Sequence, residues 1–130
     1  MDITSENFLE KLPLVQKAIE EAEFIAFDAE FSGLNTGQLD SQHDYDSVED
    51  RYRKLKHTIE KMFAFQWGIC TFHWHNNKYI CRPFNFYVFP MSKLFPSTVL
   101  QFQASSVRFL MENHFDFNKL FASGIVRMAQ

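Results

Sequence analysis

The chain has 130 residues, of which 46% are hydrophobic and 22% charged, a balance that fits one globular domain or part of one. A formal net charge of -3 excludes recognition of nucleic acid by bulk positive charge. No run approaches the roughly 18 consecutive apolar residues of a membrane span, and the acidic, amphipathic N-terminus has no charged-then-apolar signal pattern. The chain therefore reads as soluble and intracellular, with no membrane contact from these residues. Sixteen phenylalanines predict an aromatic-rich core.

Thr4 or Ser5 is placed to cap a first helix that runs to about Ala22. Phe8, Leu12, Val15 and Ile19 form its apolar stripe, widened by Leu9 and Ala18. Pro13 lies inside this pattern and predicts a kink or a separate first turn. A buried strand follows over about Phe24 to Phe31. The polar stretch Ser32 to Asp46 reads as a loop, with His43-Asp44 as a weak ligand pair. Ser47-Val48-Glu49-Asp50 resembles a capping box with Asp in place of Glu. It opens a second helix to about Lys61, with Tyr52, Leu55 and Ile59 expected inward. Arg51, Arg53, Lys54, Lys56 and Lys61 read as a solvated face of that helix.

A nearly continuous apolar and aromatic strand spans about Ala64 to Trp74, as expected of a central strand covered on both faces. Asn76-Asn77 is a turn signal, and a strand over about Lys78 to Phe89 closes an antiparallel hairpin. Pro83 within it implies an edge position or a bulge. Cys70 and Cys81 fall on these two strands and read as buried free thiols in a reducing compartment; their spacing leaves a disulfide open. Pro90 to Pro96 is expected to be a loop. Ser105 or Ser106 is placed to cap a short helix through Glu112, and Asp116 another that ends near Gly124. The order predicts an α/β fold (an α+β mixed sheet).

The chemistry concentrates in Phe24-Ile25-Ala26-Phe27-Asp28-Ala29-Glu30-Phe31. Strand alternation points Asp28 and Glu30 the same way, about 7 Å apart. Two carboxylates on one face of an apolar strand are costly to bury unless something compensates them. A divalent cation held by oxygen ligands, Mg²⁺ or Mn²⁺, is the usual compensation. The alternative is a half-exposed strand whose acids face water.

Several stretches together carry more than this spacing. They are Asp28-Ala29-Glu30-Phe31-Ser32-Gly33-Leu34, Arg51-Tyr52-Arg53-Lys54-Leu55-Lys56, Phe65-Gln66-Trp67-Gly68-Ile69-Cys70-Thr71-Phe72, Asn85-Phe86-Tyr87-Val88-Phe89-Pro90, Phe102-Gln103-Ala104-Ser105-Ser106-Val107 and Phe115-Asp116-Phe117-Asn118-Lys119. Over nearly its whole length, and in the same order, the chain resembles the N-terminal part of the poly(A)-specific ribonuclease family. That family includes deadenylases and enzymes that trim the 3′ ends of piRNA precursors. The stretch from Phe102 to Val107 leans toward the trimming branch.

The resemblance implies a ribonuclease-H-like exonuclease fold of the DEDD type, of which residues 1–130 form the N-terminal part. It implies a Mg²⁺-dependent 3′-to-5′ exoribonuclease acting on poly(A) tails or other single-stranded RNA 3′ ends. Asp28 and Glu30 match the first two of four metal-binding catalytic acids. Phe31, Leu34, Ser106, Val107 and Phe109 match nucleotide-lining positions, where an apolar or aromatic wall stacks on adenine without reading base edges. The third and fourth acids, the histidine and the remaining strands are expected beyond residue 130. None of His43, His57, His73, His75 and His114 has the family's following aspartate, and Asp116 lies outside its second acidic motif.

The resemblance further implies homodimer formation and a nuclear or cytoplasmic location. A C-terminal anchor of the kind some trimming enzymes carry would instead place the longer protein at the mitochondrial outer membrane or the endoplasmic reticulum. The alternative function is an inactive piece that only binds RNA or dimerises.

Overall fold

The computed structural model describes residues 1–35, 43–89 and 99–126. The elements in order are β1 (Asp2–Ile3), α1 (Phe8–Glu20), β2 (Phe24–Phe31), α2 (Val48–Lys61), β3 (Ala64–His75), β4 (Lys78–Phe89), α3 (Ala104–Glu112), α4 (Phe117–Ser123) and β5 (Ile125–Val126). They group into two compact units. The first comprises Met1–Glu30, Phe65–Pro96 and Phe117–Gln130, and the second Phe31–Ala64 and Ser97–Asp116. The expected loop from Pro90 to Pro96 lies outside the described residues, as does the middle of the stretch from Ser32 to Asp46.

The first unit is built on the hairpin of β3 and β4. Asn76 and Asn77 both take positive φ, 50° and 60°, the two left-handed residues that match a tight turn to the strands' twist. Asparagine tolerates this region better than most side chains. The ladder then runs without a break from His75↔Lys78 to Gln66↔Tyr87. Pro83 pairs with Cys70 inside it, so there is no bulge. The edge alternative holds locally: among the described residues the strand pairing on the outer side of β4 starts at Asn85, with β1. The N-terminal ammonium of Met1 donates to the Pro83 carbonyl at 2.9 Å.

The sheet order is β1-β4-β3-β2, with β5 also on β4. The two-residue strands β1 and β5 share the outer edge of β4, both parallel to it, at Asn85–Phe86 and Val88–Phe89. On the other side, Glu23 N–H donates to the Phe72 carbonyl and Ser32 N–H to the Phe63 carbonyl, both at 2.9 Å. These two bonds run β2 antiparallel to β3.

Val15 and Ala18 of α1 are buried against Ile3 and Phe84, with Phe8, Phe86 and Ile125 packed around them. The helix departs from the expected pattern in three ways. It starts after Asn7 without a side-chain cap, and Pro13 lies inside one helix, with no separate first turn before it. Leu9 is 81% exposed, because the face that meets the sheet follows Phe8, Val15 and Ala18 and turns Leu9 outward.

The expectation that β2 is buried is also corrected. Phe27 is 77% exposed, and Phe24, Ile25 and Phe31 are exposed as well. The cause is position: β2 ends the strand order and, among the described residues, has only β3 beside it. The cysteines also differ from the expectation that both are buried. Cys81 is exposed and Cys70 half-buried.

The second unit carries α2 and α3. Ser47 and Asp50 form the expected capping box, each satisfying a backbone N–H that the helix leaves free. Tyr52, Leu55 and Ile59, expected inward, are exposed, and Thr58 is the buried residue of the helix. The apolar stripe thus faces outward, and the helix rests on its Thr58 side. Lys54 Nζ reaches both Asp46 oxygens at 2.8 Å and holds that carboxyl below the usual carboxylate range. Ser32 is fully buried and its hydroxyl accepts the Phe63 N–H. Phe63 meets Phe102 edge to face at 5.3 Å.

Gln103 holds the N-cap position of α3, where Ser105 or Ser106 was expected. The helix ends in a Schellman motif. His114 sits at positive φ, its N–H bonds the Met111 carbonyl, and the Phe115 N–H bonds that of Leu110.

Two outcomes follow for this unit. A Cβ added at Gly33 meets Gln103 Cβ and Met62 Sδ at 2.8 Å, so Gly33→Ala should cost about 1–3 kcal/mol by overpacking, measurable by urea unfolding. Asp46 has a folded-state pKa lowered from 3.8. Its contribution is present above that value and lost as pH falls through the depressed one. Wild type should therefore exceed Asp46→Asn in stability at pH 7, and the gap should close in acid.

Candidate active site

Strand alternation alone puts Asp28 and Glu30 on one side of β2. Asp28 is exposed and Glu30 partly buried. Asp28 Oδ1 accepts the Ala29 N–H at 2.9 Å, which fixes one oxygen and leaves the second for another partner. Burial, and then the neighbouring Asp28 charge, push the Glu30 carboxyl above its ordinary range. Two like charges held together in a partly dry setting are under electrostatic load that a cation relieves. The donor set consists of hard carboxylate oxygens, which suit Mg²⁺ or Mn²⁺. No group of three or more His, Cys, Asp and Glu is gathered as a metal centre among the described residues. His43 and Asp44 are both exposed.

The other expected site residues belong to the second unit. Phe31 ends β2 and is 39% exposed; Leu34 is 71% exposed and Phe109 59%. Ser106 and Val107 lie half-buried in the first turn of α3. Val107 lines an open cavity of about 510 Å³ with Phe102, Ala104, Arg108, Met111 and Glu112; Phe109 is not among the lining residues.

Gln103 brings Leu34 and Ser106 together, and it was missed as a functional residue. Its Oε1 accepts the N–H of Leu34 at 2.9 Å, the N–H of Asn35 at 3.3 Å and the Ser106 hydroxyl at 3.4 Å. Its backbone N–H donates to the Ser32 carbonyl at 2.8 Å. A single amide thus holds residues 32–35 against the start of α3. The one local signal was its place just before a helix, where a polar side chain meets free backbone donors.

A family model described as CAF1 family ribonuclease matches residues 3–129. The chain belongs to the CAF1 ribonuclease family. It is 44% identical over 136 aligned positions to the poly(A)-specific ribonuclease PARN of Xenopus laevis, covering all of this chain and 22% of that protein. It is 36% identical to the pre-piRNA 3′-exonuclease trimmer of Bombyx mori, over 96% of this chain and 24% of the relative. The chain therefore spans about a fifth to a quarter of the relatives it matches.

The structure of S. pombe Pop2p, in a form with Mg²⁺ and Mn²⁺ bound, superposes with a TM-score of 0.66 at 19% identity. It covers 95% of this chain and 47% of Pop2p. At that identity the likeness speaks for the fold, and it agrees with the ribonuclease-H-like α/β expectation. Among the described residues of this CAF1 family chain, no helix is long and apolar enough to cross a membrane.

Removal of the Gln103 clamp is the test of its role. Gln103→Leu removes the acceptor of two backbone N–H groups, one exposed and one half-buried, and should cost about 0.5–1.5 kcal/mol. Hydrogen exchange should rise first at Leu34 and Asn35, whereas a general loss of packing would raise it throughout the second unit.

Proposed function

We propose that this chain carries the first half of the metal site of a Mg²⁺-dependent 3′-to-5′ exoribonuclease, acting on poly(A) or another single-stranded RNA 3′ end. The observation that carries this reading is the loaded acid pair Asp28 and Glu30 on β2, set in a CAF1 family chain. Asp28 and Glu30 would hold the metal. Divalent ions bound in such sites stabilise charge on phosphate oxygens and lower the pKa of an attacking water.

The chain's own residues supply position and selection. Asp28 keeps one oxygen pinned by the Ala29 N–H, so its second oxygen is presented in a fixed orientation. Phe31, Leu34, Val107 and Phe109 offer apolar surface on which adenine stacks. Ser106 Oγ, anchored to Gln103, retains a lone pair for a ribose or base donor. Relatives named as a poly(A)-specific ribonuclease and as a pre-piRNA trimmer support substrates of both kinds. Work inside the cell, in the nucleus or cytoplasm, and assembly as a homodimer complete the proposal.

A second reading rests on one observation, that only two acids of a metal centre are gathered among the described residues. On that reading the 130 residues by themselves bind single-stranded RNA or a second copy without cutting.

One assay decides between them. A 5′-labelled oligo(A) with a free 3′ hydroxyl is incubated with Mg²⁺ and the protein, and in parallel with EDTA. The proposal expects a stepwise ladder of 3′-shortened products in the protein that carries this chain in full. Asp28→Asn or Glu30→Gln should reduce the rate by more than the 10–100-fold typical of losing an outer-shell partner, with an unchanged circular dichroism spectrum. A near-normal rate in Asp28→Asn overturns the assignment. Retention of RNA with no metal-dependent cleavage by the separate 130 residues supports the second reading.

A further inference from the structure

The helix α2 turns its apolar stripe to solvent. Val48, Tyr52, Leu55 and Ile59 are all exposed, from 44% at Leu55 to 87% at Val48. Their spacing of four, three and four is that of the a and d positions of a coiled coil, a seam narrower than the face a globular helix usually buries. The helix is held within the second unit by its capping box and by the buried Thr58, so it forms with the seam uncovered.

The flanks of the seam are charged. Glu49 and Lys56 follow Val48 and Leu55 on one side, and Arg51 and Thr58 precede Tyr52 and Ile59 on the other. Glu49, Arg51 and Lys56 are exposed. Among the described residues none of these three is in an ion pair, whereas Arg53 meets Asp50 and Lys54 meets Asp46.

We propose that α2 is a contact between two copies of this chain, packed antiparallel about a two-fold axis. A stripe spaced four, three and four reads the same in both directions. A reversed copy therefore sets Val48 against the partner's Ile59 and Tyr52 against the partner's Leu55, each pair twice. The two-fold axis turns equivalent flanks toward each other, so Glu49 faces the partner's Lys56, and Lys56 the partner's Glu49. Arg51 comes nearest the partner's Thr58, and no like charges are opposed. A parallel pairing would set Arg51 against the partner's Lys56 on both sides of the seam, and like charges across an interface are costly. The flanks thus select the antiparallel arrangement. A lipid surface fits less well, because the seam is one side chain wide and has the exposed carboxylates Glu49 and Glu60 beside it.

One helix of 14 residues from each copy falls short of a standard protein interface. The association is therefore weak, a monomer–dimer equilibrium at high micromolar concentration. The proposal gives the second copy named under the proposed function a surface, and it rests on that reading for the assembly alone.

The test is sedimentation equilibrium of the full chain from micromolar to millimolar concentration, without RNA or metal. Wild type should rise in mass from one chain toward two. Lys56→Glu and Glu49→Lys should each weaken association about tenfold, since each replaces two opposite-charge pairs by two like-charge pairs. Mixed in equal amounts, these two variants should recover wild-type association, because every facing pair is then again of opposite charge. Ile59→Glu should abolish it. All these positions are exposed, and the circular dichroism spectra should match wild type. A wild-type chain that stays monomeric throughout overturns the proposal and leaves the stripe to a different partner. A dimer indifferent to the charge substitutions, or a mixture that fails to recover, overturns it as well. Either failure leaves the metal assignment of Asp28 and Glu30 standing, and a failed cleavage assay leaves this contact standing.

Discussion

The ladder between β3 and β4 is the constraint on which the rest of the first unit depends. Its register, locked at one end by two asparagines with positive φ, decides what every other strand is able to meet. The outer edge of β4 receives Asp2–Ile3 and Ile125–Val126, segments from opposite ends of the chain. The Asp2 carboxylate then reaches Lys119 Nζ at 2.6 Å, and Ser5 N–H reaches the Ser123 carbonyl at 2.8 Å. Neither short strand has enough pairing to stand alone. Each forms because the hairpin already presents unpaired backbone groups at a fixed spacing, and an unpaired edge is a template for any strand that reaches it.

The same ladder presents the opposite edge, on β3, to β2. Here the physical balance differs. β2 brings two carboxylates and several apolar side chains to the end of the sheet. The result is a strand with two unsatisfied tendencies, exposed phenylalanine and an acid pair whose Glu30 is held above its ordinary range. Neither helps the isolated strand. Both become favourable when a cation and further apolar surface are supplied, which is the pattern expected where local rules are broken for a site.

Elements announced by local chemistry were legible in the sequence. The capping box at Ser47 and Asp50, the Asn76-Asn77 turn and the bounds of β2 each depend on residues adjacent in the chain. What was not legible depends on the partner. The stripe Tyr52, Leu55, Ile59 shows that one face of α2 is apolar, but periodicity does not say which surface that face meets. The helix rests on Thr58 instead. β1 and β5 carry two residues each, too few for any period, and exist only through β4. In the candidate site, Asp28 and Glu30 could be paired from alternation within one strand. The clamp by Gln103 could not, because it joins positions 68 and 69 residues apart through a single amide oxygen.

The comparisons separate what the fold specifies from what side chains must add. At 19% identity the backbone still superposes on Pop2p with a TM-score of 0.66, so the fold as a whole tolerates wide change in sequence. A site that acts on the phosphodiester alone would need little more than such a strand, since phosphate chemistry is the same at every nucleotide. Preference for a base is another matter, because it requires surface shaped to a ring. In the proposed function that surface is the exposed group Phe31, Leu34 and Phe109, together with Val107 at the α3 cavity. None of these four reaches the burial of the neighbouring Leu110. Packing therefore constrains these four side chains only weakly.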